Sequence, residues 1–212
     1  MTSAMTSGTD IAAEQALDAV VARRRIEAVV IGASAGGFQA LMAVLDNLPA
    51  SYPMPMAVVL HLPDNHDSRV AELFGLRLQM KVREARDKEM LEPGTVYFAP
   101  PGYHLLVEAD RSFSLSCEDR VSYARPSIDV LMLSAADAYG AALCAVLMTG
   151  ANYDGAAGLS GMQLAGGLAV VQDPATAEVP TMPEAAIRRM TPDLILSLAQ
   201  IHSLLRKLGE PR

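Results

Sequence analysis

The chain has 212 residues, of which 51% are hydrophobic and only 5% aromatic, and its formal net charge is −7. This length and hydrophobic content predict one sizeable core within a single α/β domain. The negative charge and the absence of tryptophan argue against a protein that binds nucleic acid or an anionic membrane surface.

The first 26 residues predict a polar tail followed by a short helix. Residues 1–10 are small and polar, whereas 10–25 have helix-forming composition, with apolar side chains on one face. This start lacks the early positive charge of a secretory signal, and no apolar run reaches the roughly 18–20 residues that a membrane span needs. We therefore expect a cytoplasmic protein that does not insert into membranes.

From residue 27 onward, short continuous apolar runs alternate with helical patterns. Continuous runs are typical of strands covered on both faces, and helices between them indicate right-handed crossovers and a mostly parallel sheet. Residues 27–209 thus predict one doubly wound domain, a Rossmann-like three-layer sandwich with a β-hairpin. The predicted strands are 27–32, 54–61, 141–150, 168–173 and, as a short strand or turn, 194–198, with hairpins in 91–117; the predicted helices are 38–48, 67–78, 127–140 (ending at an αL Gly140), 155–167, 182–190 and 199–209.

Polar residues follow several of the predicted strands. In doubly wound sheets, ligands bind beyond the carboxyl ends of the strands, near the point where strand order reverses. A hydroxyl, an imidazole and a carboxylate on one such edge are the groups that nucleophilic catalysis requires. The residues that follow the predicted strands are Ser34, His61, the segment 149–154 with Asp154, and Asp173. The spacing does not decide whether Asp154 or Asp173 is the carboxylate of such a site.

The segment 32–36 (GASAG) matches the pattern G-x-S-x-G on a strand-to-helix turn, the context of a nucleophile elbow. A glycine-rich packing turn is the simpler interpretation of such a short motif. Nucleotide binding is a weaker alternative, because Ser34 stands where the dinucleotide fingerprint has its second glycine. His61 at the end of the next strand favours serine chemistry.

The remaining histidines and the cysteines predict no further chemistry. We expect surface or packing roles for His66, His104 and His202, and buried reduced thiols for Cys117 and Cys144. The cysteines show neither a CxxC spacing nor a disulfide framework. No cluster has metal-ligand spacing, so we expect no metal and no cofactor.

Six stretches, taken together, resemble the catalytic domain of the CheB-type protein-glutamate methylesterases of bacterial chemotaxis. The resemblance implies a Ser34–His61–Asp154 triad, which favours Asp154 over Asp173, with an oxyanion held by the backbone N–H groups of Ala35 and Ala151. The stretches are VVIGASAGG, VVLHLP, VYFAPPGYHLLVE, RPSIDVLMLSAADAYG, VLMTGANYDGAAGL and VPTMPEAAI, in family order over roughly 27–190.

The same resemblance implies hydrolysis of glutamate γ-methyl esters on the cytoplasmic helices of chemoreceptors through an acyl-enzyme, with glutamine deamidation as a related activity. Only about 26 residues precede the first strand, too few for a receiver domain, so the chain resembles the stand-alone branch. Ala35 replaces a common threonine, and Ala151 stands where methionine is usual. The alternative is a non-catalytic partner-binding domain that keeps the fold.

Overall fold

The computed structural model describes residues 17–62 and 69–210. Residues 17–23 are helical, and Leu17 is buried in the core. The rest of the predicted helix at 10–25, the tail before it and His66 lie outside the described residues.

A parallel sheet of seven strands forms the centre of the described structure, and two further strands form an antiparallel hairpin. The strands are β1 (Ala28–Ala33), β2 (Met56–Leu60), β3 (Lys81–Glu84), β4 (Thr95–Phe98), the hairpin strands β5 (His104–Val107) and β6 (Phe113–Ser116), β7 (Leu143–Leu147), β8 (Leu168–Gln172) and β9 (Leu194–Leu196). The sheet order is β3-β4-β2-β1-β7-β8-β9, with every neighbouring pair parallel.

Helices cover both faces of the sheet. The helices are α1 (Gly37–Leu45), α2 (Val70–Gly75), α3 (Ile128–Tyr139), α4 (Ala156–Leu164), α5 (Thr181–Arg189) and α6 (Leu198–Leu208). α1, α2 and α6 pack on one face, while α3, α4, α5 and the hairpin pack on the other, so each face has its own apolar core. The predicted three-layer α/β fold with a hairpin is therefore confirmed.

Two strands differ from the sequence-based prediction. The sequence KVRE of β3 has no apolar run, because an edge strand is not covered on both sides, and the pattern therefore missed it. β4 was assigned to the hairpin region because of the Pro-Gly sequences around it. It is a buried strand of the main sheet, parallel to β2 and β3.

Two local predictions were wrong. Helix α3 does end before Gly140, but this glycine has φ 52° and ψ −124°, outside the αL region, because the chain turns directly into a 3₁₀ turn at Gly140–Ala142. Cys117 is exposed in the loop after β6. Cys144 is buried in β7 as expected, and burial raises the pKa of its thiol to about 12.

The strand order reverses at β1, which lies between β2 and β7. In the register, Ala33 pairs with Leu60 of β2, and Gly32 pairs with Leu147 of β7. The residues that follow these three strands therefore meet at one rim of the sheet, where doubly wound folds bind their ligands.

Candidate active site

Ser34 follows β1 directly and lies on a tight turn into α1. Its N–H donates to the carbonyl of Thr149 (2.9 Å), and the Thr149 hydroxyl donates to the carbonyl of Ala35 (2.8 Å). Gly36 then takes a left-handed conformation, φ 74°, in front of α1. This backbone is costly for a residue with a Cβ, so the glycine is what allows the turn to be so tight.

A second glycine allows the loop after β7 to approach the serine. A Cβ built on Gly150 would lie 2.9 Å from the Cβ of Ser34 and 2.6 Å from Cε of Met182. Real Cβ atoms do not lie so close to a neighbour. Any residue larger than glycine at position 150 would therefore displace Ser34 or Met182.

The turn leaves hydrogen-bond donors unused. Ala35 and Ala151 are both exposed, and neither backbone N–H is bonded to any residue within 17–62 or 69–210. The hydroxyl of Ser34 likewise makes no hydrogen bond to a described residue. The N-terminus of α1, which begins at Gly37, adds its partial positive charge beside these donors. The arrangement suits the binding of an oxyanion.

His61 follows β2, and its N–H donates to the carbonyl of Ala33 (3.0 Å), which places it beside Ser34. The imidazole side chain is 13% exposed. Its Nε2 lies 3.0 Å from Oδ2 of Asp154. Nδ1 is therefore the ring nitrogen left for another partner, and it lies 3.5 Å from Nδ2 of Asn152.

Asp154 is fully buried at the N-terminus of α3, where four donors converge on its carboxylate. Burial alone would raise the pKa of Asp154. The hydrogen bond from His61 and those from the backbone outweigh it, so the pKa is lowered. The donors are His61 Nε2 and Ile128 N on Oδ2, at 3.0 and 2.7 Å, and the Ser127 hydroxyl and Asp129 N on Oδ1, at 2.8 and 3.0 Å.

The hairpin contacts Asp154 indirectly, through His104 and Ser127. Ser127 is the N-cap of α3, and its N–H donates to Nδ1 of His104 (3.2 Å). Since Nδ1 accepts, Nε2 of His104 carries the proton and donates to the carbonyl of Asp119 (3.0 Å). His104 thus has a packing role, as predicted. His202, whose Nδ1 contacts the carbonyl of Val44, also packs within the fold.

A second buried carboxyl lies next to Asp154. Asp129 is 7% exposed, and it accepts the N–H of Gly158 (2.6 Å) in the first turn of α4. Burial, together with the charge of Asp154, raises the pKa of Asp129 to about 6. Asp154, which precedes α4, therefore accepts hydrogen bonds from the start of α3. Asp129, which belongs to α3, accepts one from the start of α4.

The other candidate acid has a local role. Asp173 accepts the N–H of Ala175 (2.9 Å) and caps the 3₁₀ turn Pro174–Thr176, whereas Asp154 contacts His61. Sequence reasoning missed Ser127, and it included Asn152 only as a member of the segment 149–154, without a role of its own. A serine directly before a helix is a recognisable N-cap signal, but no local signal shows that its hydroxyl reaches a residue 27 positions away.

Neither a metal site nor a membrane span was found in the part of the chain that the structure describes. No group of three or more His, Cys, Asp and Glu side chains there could hold a metal ion. None of the helices there combines the length and apolar character needed to cross a bilayer.

Comparisons with known proteins agree on one family. The model described as CheB methylesterase matches residues 29–205. A Leptospira interrogans protein, provisionally named protein-glutamate methylesterase/protein-glutamine glutaminase, is 45% identical over 87% of this chain and 95% of its own length. An Anaeromyxobacter dehalogenans protein-glutamate methylesterase/protein-glutamine glutaminase is 42% identical over 90% of this chain, which spans 56% of that protein. The crystal structure of the Thermotoga maritima CheB methylesterase catalytic domain has a TM-score of 0.82 and 33% identity, over 86% of this chain and 98% of that one.

Proposed function

Because the chain belongs to the CheB methylesterase family, we propose that it hydrolyses glutamate γ-methyl esters on the cytoplasmic helices of chemoreceptors. Its relatives are named protein-glutamate methylesterases and glutaminases, which are hydrolases, and glutamine deamidation is the second activity we propose. The observation that carries the proposal is the contact of His61 with the buried Asp154, one strand away from the serine turn.

The proposed reaction uses Ser34 as the nucleophile. Nδ1 of His61 accepts the hydroxyl proton while Oγ forms a bond to the ester carbonyl carbon. Asp154 accepts the Nε2–H and stabilises the imidazolium that results. The intermediate collapses with loss of methanol, which takes the proton from Nδ1, or of ammonia when the substrate is glutamine. This leaves an acyl-enzyme, in which Oγ of Ser34 is bonded to the glutamyl carbonyl carbon. A water molecule, deprotonated by the same nitrogen, then adds to this carbon. The bond to Oγ breaks, Nδ1 returns the proton to Oγ, and the glutamate is released.

The negative charge that develops on the carbonyl oxygen needs donors that are free in the resting state. The N–H groups of Ala35 and Ala151 meet this requirement, and the N-terminus of α1 strengthens their field. One such donor contributes about 3–4 kcal/mol to catalysis. Since the donors are backbone groups, the alanine side chains at 35 and 151 do not remove them.

The experiment that tests the function compares the wild type with Ser34→Ala on a methylated receptor. We expect the wild type to release methanol and the variant to lose at least about 10⁴-fold in rate with an unchanged melting temperature. A fluorophosphonate should label the wild type at Ser34 and leave the variant unlabelled. Turnover retained by Ser34→Ala would remove the serine from its role. A wild type that neither turns over nor labels would instead be a partner-binding domain.

A further inference from the structure

The side-chain amide of Asn152 is fixed in one orientation. Its Oδ1 accepts the backbone N–H of Asp154 (3.1 Å), and only the oxygen end of the amide can accept a hydrogen bond. The NH₂ end therefore faces Nδ1 of His61 at 3.5 Å. The proposed chemistry does not use this contact.

The contact falls on the nitrogen that matters for proton transfer. Asp154 is buried, accepts from Nε2 and has a lowered pKa, so it remains ionised and Nε2 keeps its proton. Nδ1 then bears the lone pair. A proton placed on Nδ1 would point at the donor end of Asn152, and two donors facing each other repel.

We propose that Asn152 is a positioning residue that holds His61 in its neutral Nε2–H form, with the Nδ1 lone pair ready for the serine hydroxyl. The inference rests on the proposed function, because it assigns Asn152 a task in preparing the general base. When substrate orders the Ser34 hydroxyl, that hydroxyl takes the place of the amide on Nδ1.

The charges around the imidazole make such a group useful. The described carboxylate in contact with the ring is Asp154, and Asp129 lies behind it at the start of α3. Both acids favour a protonated ring. Asn152 is neutral and contacts the opposite ring nitrogen, where its donor favours the unprotonated form instead.

Asn152→Asp is the sharpest test, because it keeps an oxygen for the N–H of Asp154 and turns the donor facing Nδ1 into an acceptor. We expect the acid limb of the kcat/KM profile to move to higher pH, with about tenfold lower kcat/KM on that limb. The alkaline plateau should stay within about threefold. Asn152→Ala, which only removes the donor, should move the limb in the same direction by about three- to tenfold.

Tyr153→Phe is the matched control, since this neighbouring side chain is 55% exposed and makes no contact in the proposed reaction. Its profile should match the wild type. Nitrogen-15 spectra of the His61 ring supply a readout that needs no turnover. At a pH on the acid limb of the profile, the wild type should show the neutral Nε2–H tautomer, and Asn152→Asp should show a ring protonated on both nitrogens.

The two proposals can fail separately. A wild type without methanol release would overturn the function, while the ring spectra would still report on Asn152. An active wild type whose acid limb and ring spectra are unchanged in both Asn152 variants would overturn the role of Asn152 and leave the function standing.

Discussion

The two halves of the candidate site are built in opposite ways. On the acid side, Asp154 is fully buried and four donors occupy its carboxylate. On the serine side, Ala35 and Ala151 are exposed, and their N–H groups have no partner among the described residues. The groups that orient the imidazole are satisfied by the fold itself, whereas the groups that would meet a substrate are left open.

This difference separates stability from chemistry. Changes on the acid side should reduce both stability and rate, because one carboxylate, that of Asp154, holds the start of α3 and also orients His61. Changes on the serine side should reduce the rate with a smaller effect on folding. Single substitutions on each side can therefore separate the two effects.

Asp154→Asn should reduce methanol release by about 10⁴-fold, since the acid that fixes the tautomer of His61 is lost. It should also destabilise the fold, because an amide has one oxygen for four donors and its NH₂ would face two of them. Each stranded donor costs about 1–3 kcal/mol. Ester hydrolysis and urea denaturation measure the two effects. A variant as stable as the wild type would contradict the view that this side is structural.

Gly150→Ala should disturb the serine side. The new Cβ would overlap the positions of Ser34 and Met182, and a nucleophile moved by about 1 Å can lose about 100-fold in rate. The free energy of unfolding should fall by only about 1–3 kcal/mol, the usual cost of overpacking. The rate of fluorophosphonate labelling measures the first effect.

Gly75→Ala is the matched control for this prediction, since its nearest neighbour would be 3.8 Å from the new Cβ. Its labelling rate should equal that of the wild type. A Gly150→Ala protein that labels at the same rate would show that the loop after β7 does not position Ser34.

Asp129 should make the acid side sensitive to pH in a way the serine side is not. Its pKa is about 6 in the folded protein and near 3.9 in an unfolded chain. The stability it contributes is therefore fully present below about pH 4 and is lost as pH rises through 6, by up to about 3 kcal/mol. Denaturation of wild type and Asp129→Asn at pH 4 and pH 7 measures this change.

Asp154 acts in the opposite direction, because its lowered pKa gives stability that is lost as pH falls below about 4. Keeping the series at pH 4 and above leaves Asp129 as the larger of the two effects. Asp137→Asn, which removes an exposed carboxyl of the same helix, serves as the control. Because it keeps Asp129, its stability should change with pH as that of the wild type does. A constant difference between wild type and Asp129→Asn across this range would refute the prediction.

The sequence predicted the rim of the sheet because each rim residue follows a buried apolar run. Ser34 and His61 were placed correctly by that pattern alone, since consecutive strands joined by one helix pack side by side. The pattern could not choose between Asp154 and Asp173, because both follow buried strands. Which of the two lies beside His61 depends on strand order: β7, which precedes Asp154, is the direct neighbour of β1, while β8 lies one strand further away.

Other features had no sequence signal that could reveal them. Ser127 reaches the acid from a helix on one face of the sheet, and His104 supports it from the hairpin, so both contacts depend on how the layers pack. The orientation of Asn152 depends on a hydrogen bond to a residue only two positions away, but nothing in the letters ANYDG shows that its other end meets an imidazole.

The two acids that lie at the starts of α3 and α4 also bear on how such a protein would change under relaxed selection. Substitution of Asp154 removes a negative charge from the N-terminus of α3. Selection for folding would therefore remove most substitutions at position 154. Ser34 makes no side-chain hydrogen bond to the described residues, so its loss would be structurally silent. A descendant retained only for its binding surface should therefore lose Ser34 first and keep Asp154, whose carboxylate holds the start of α3.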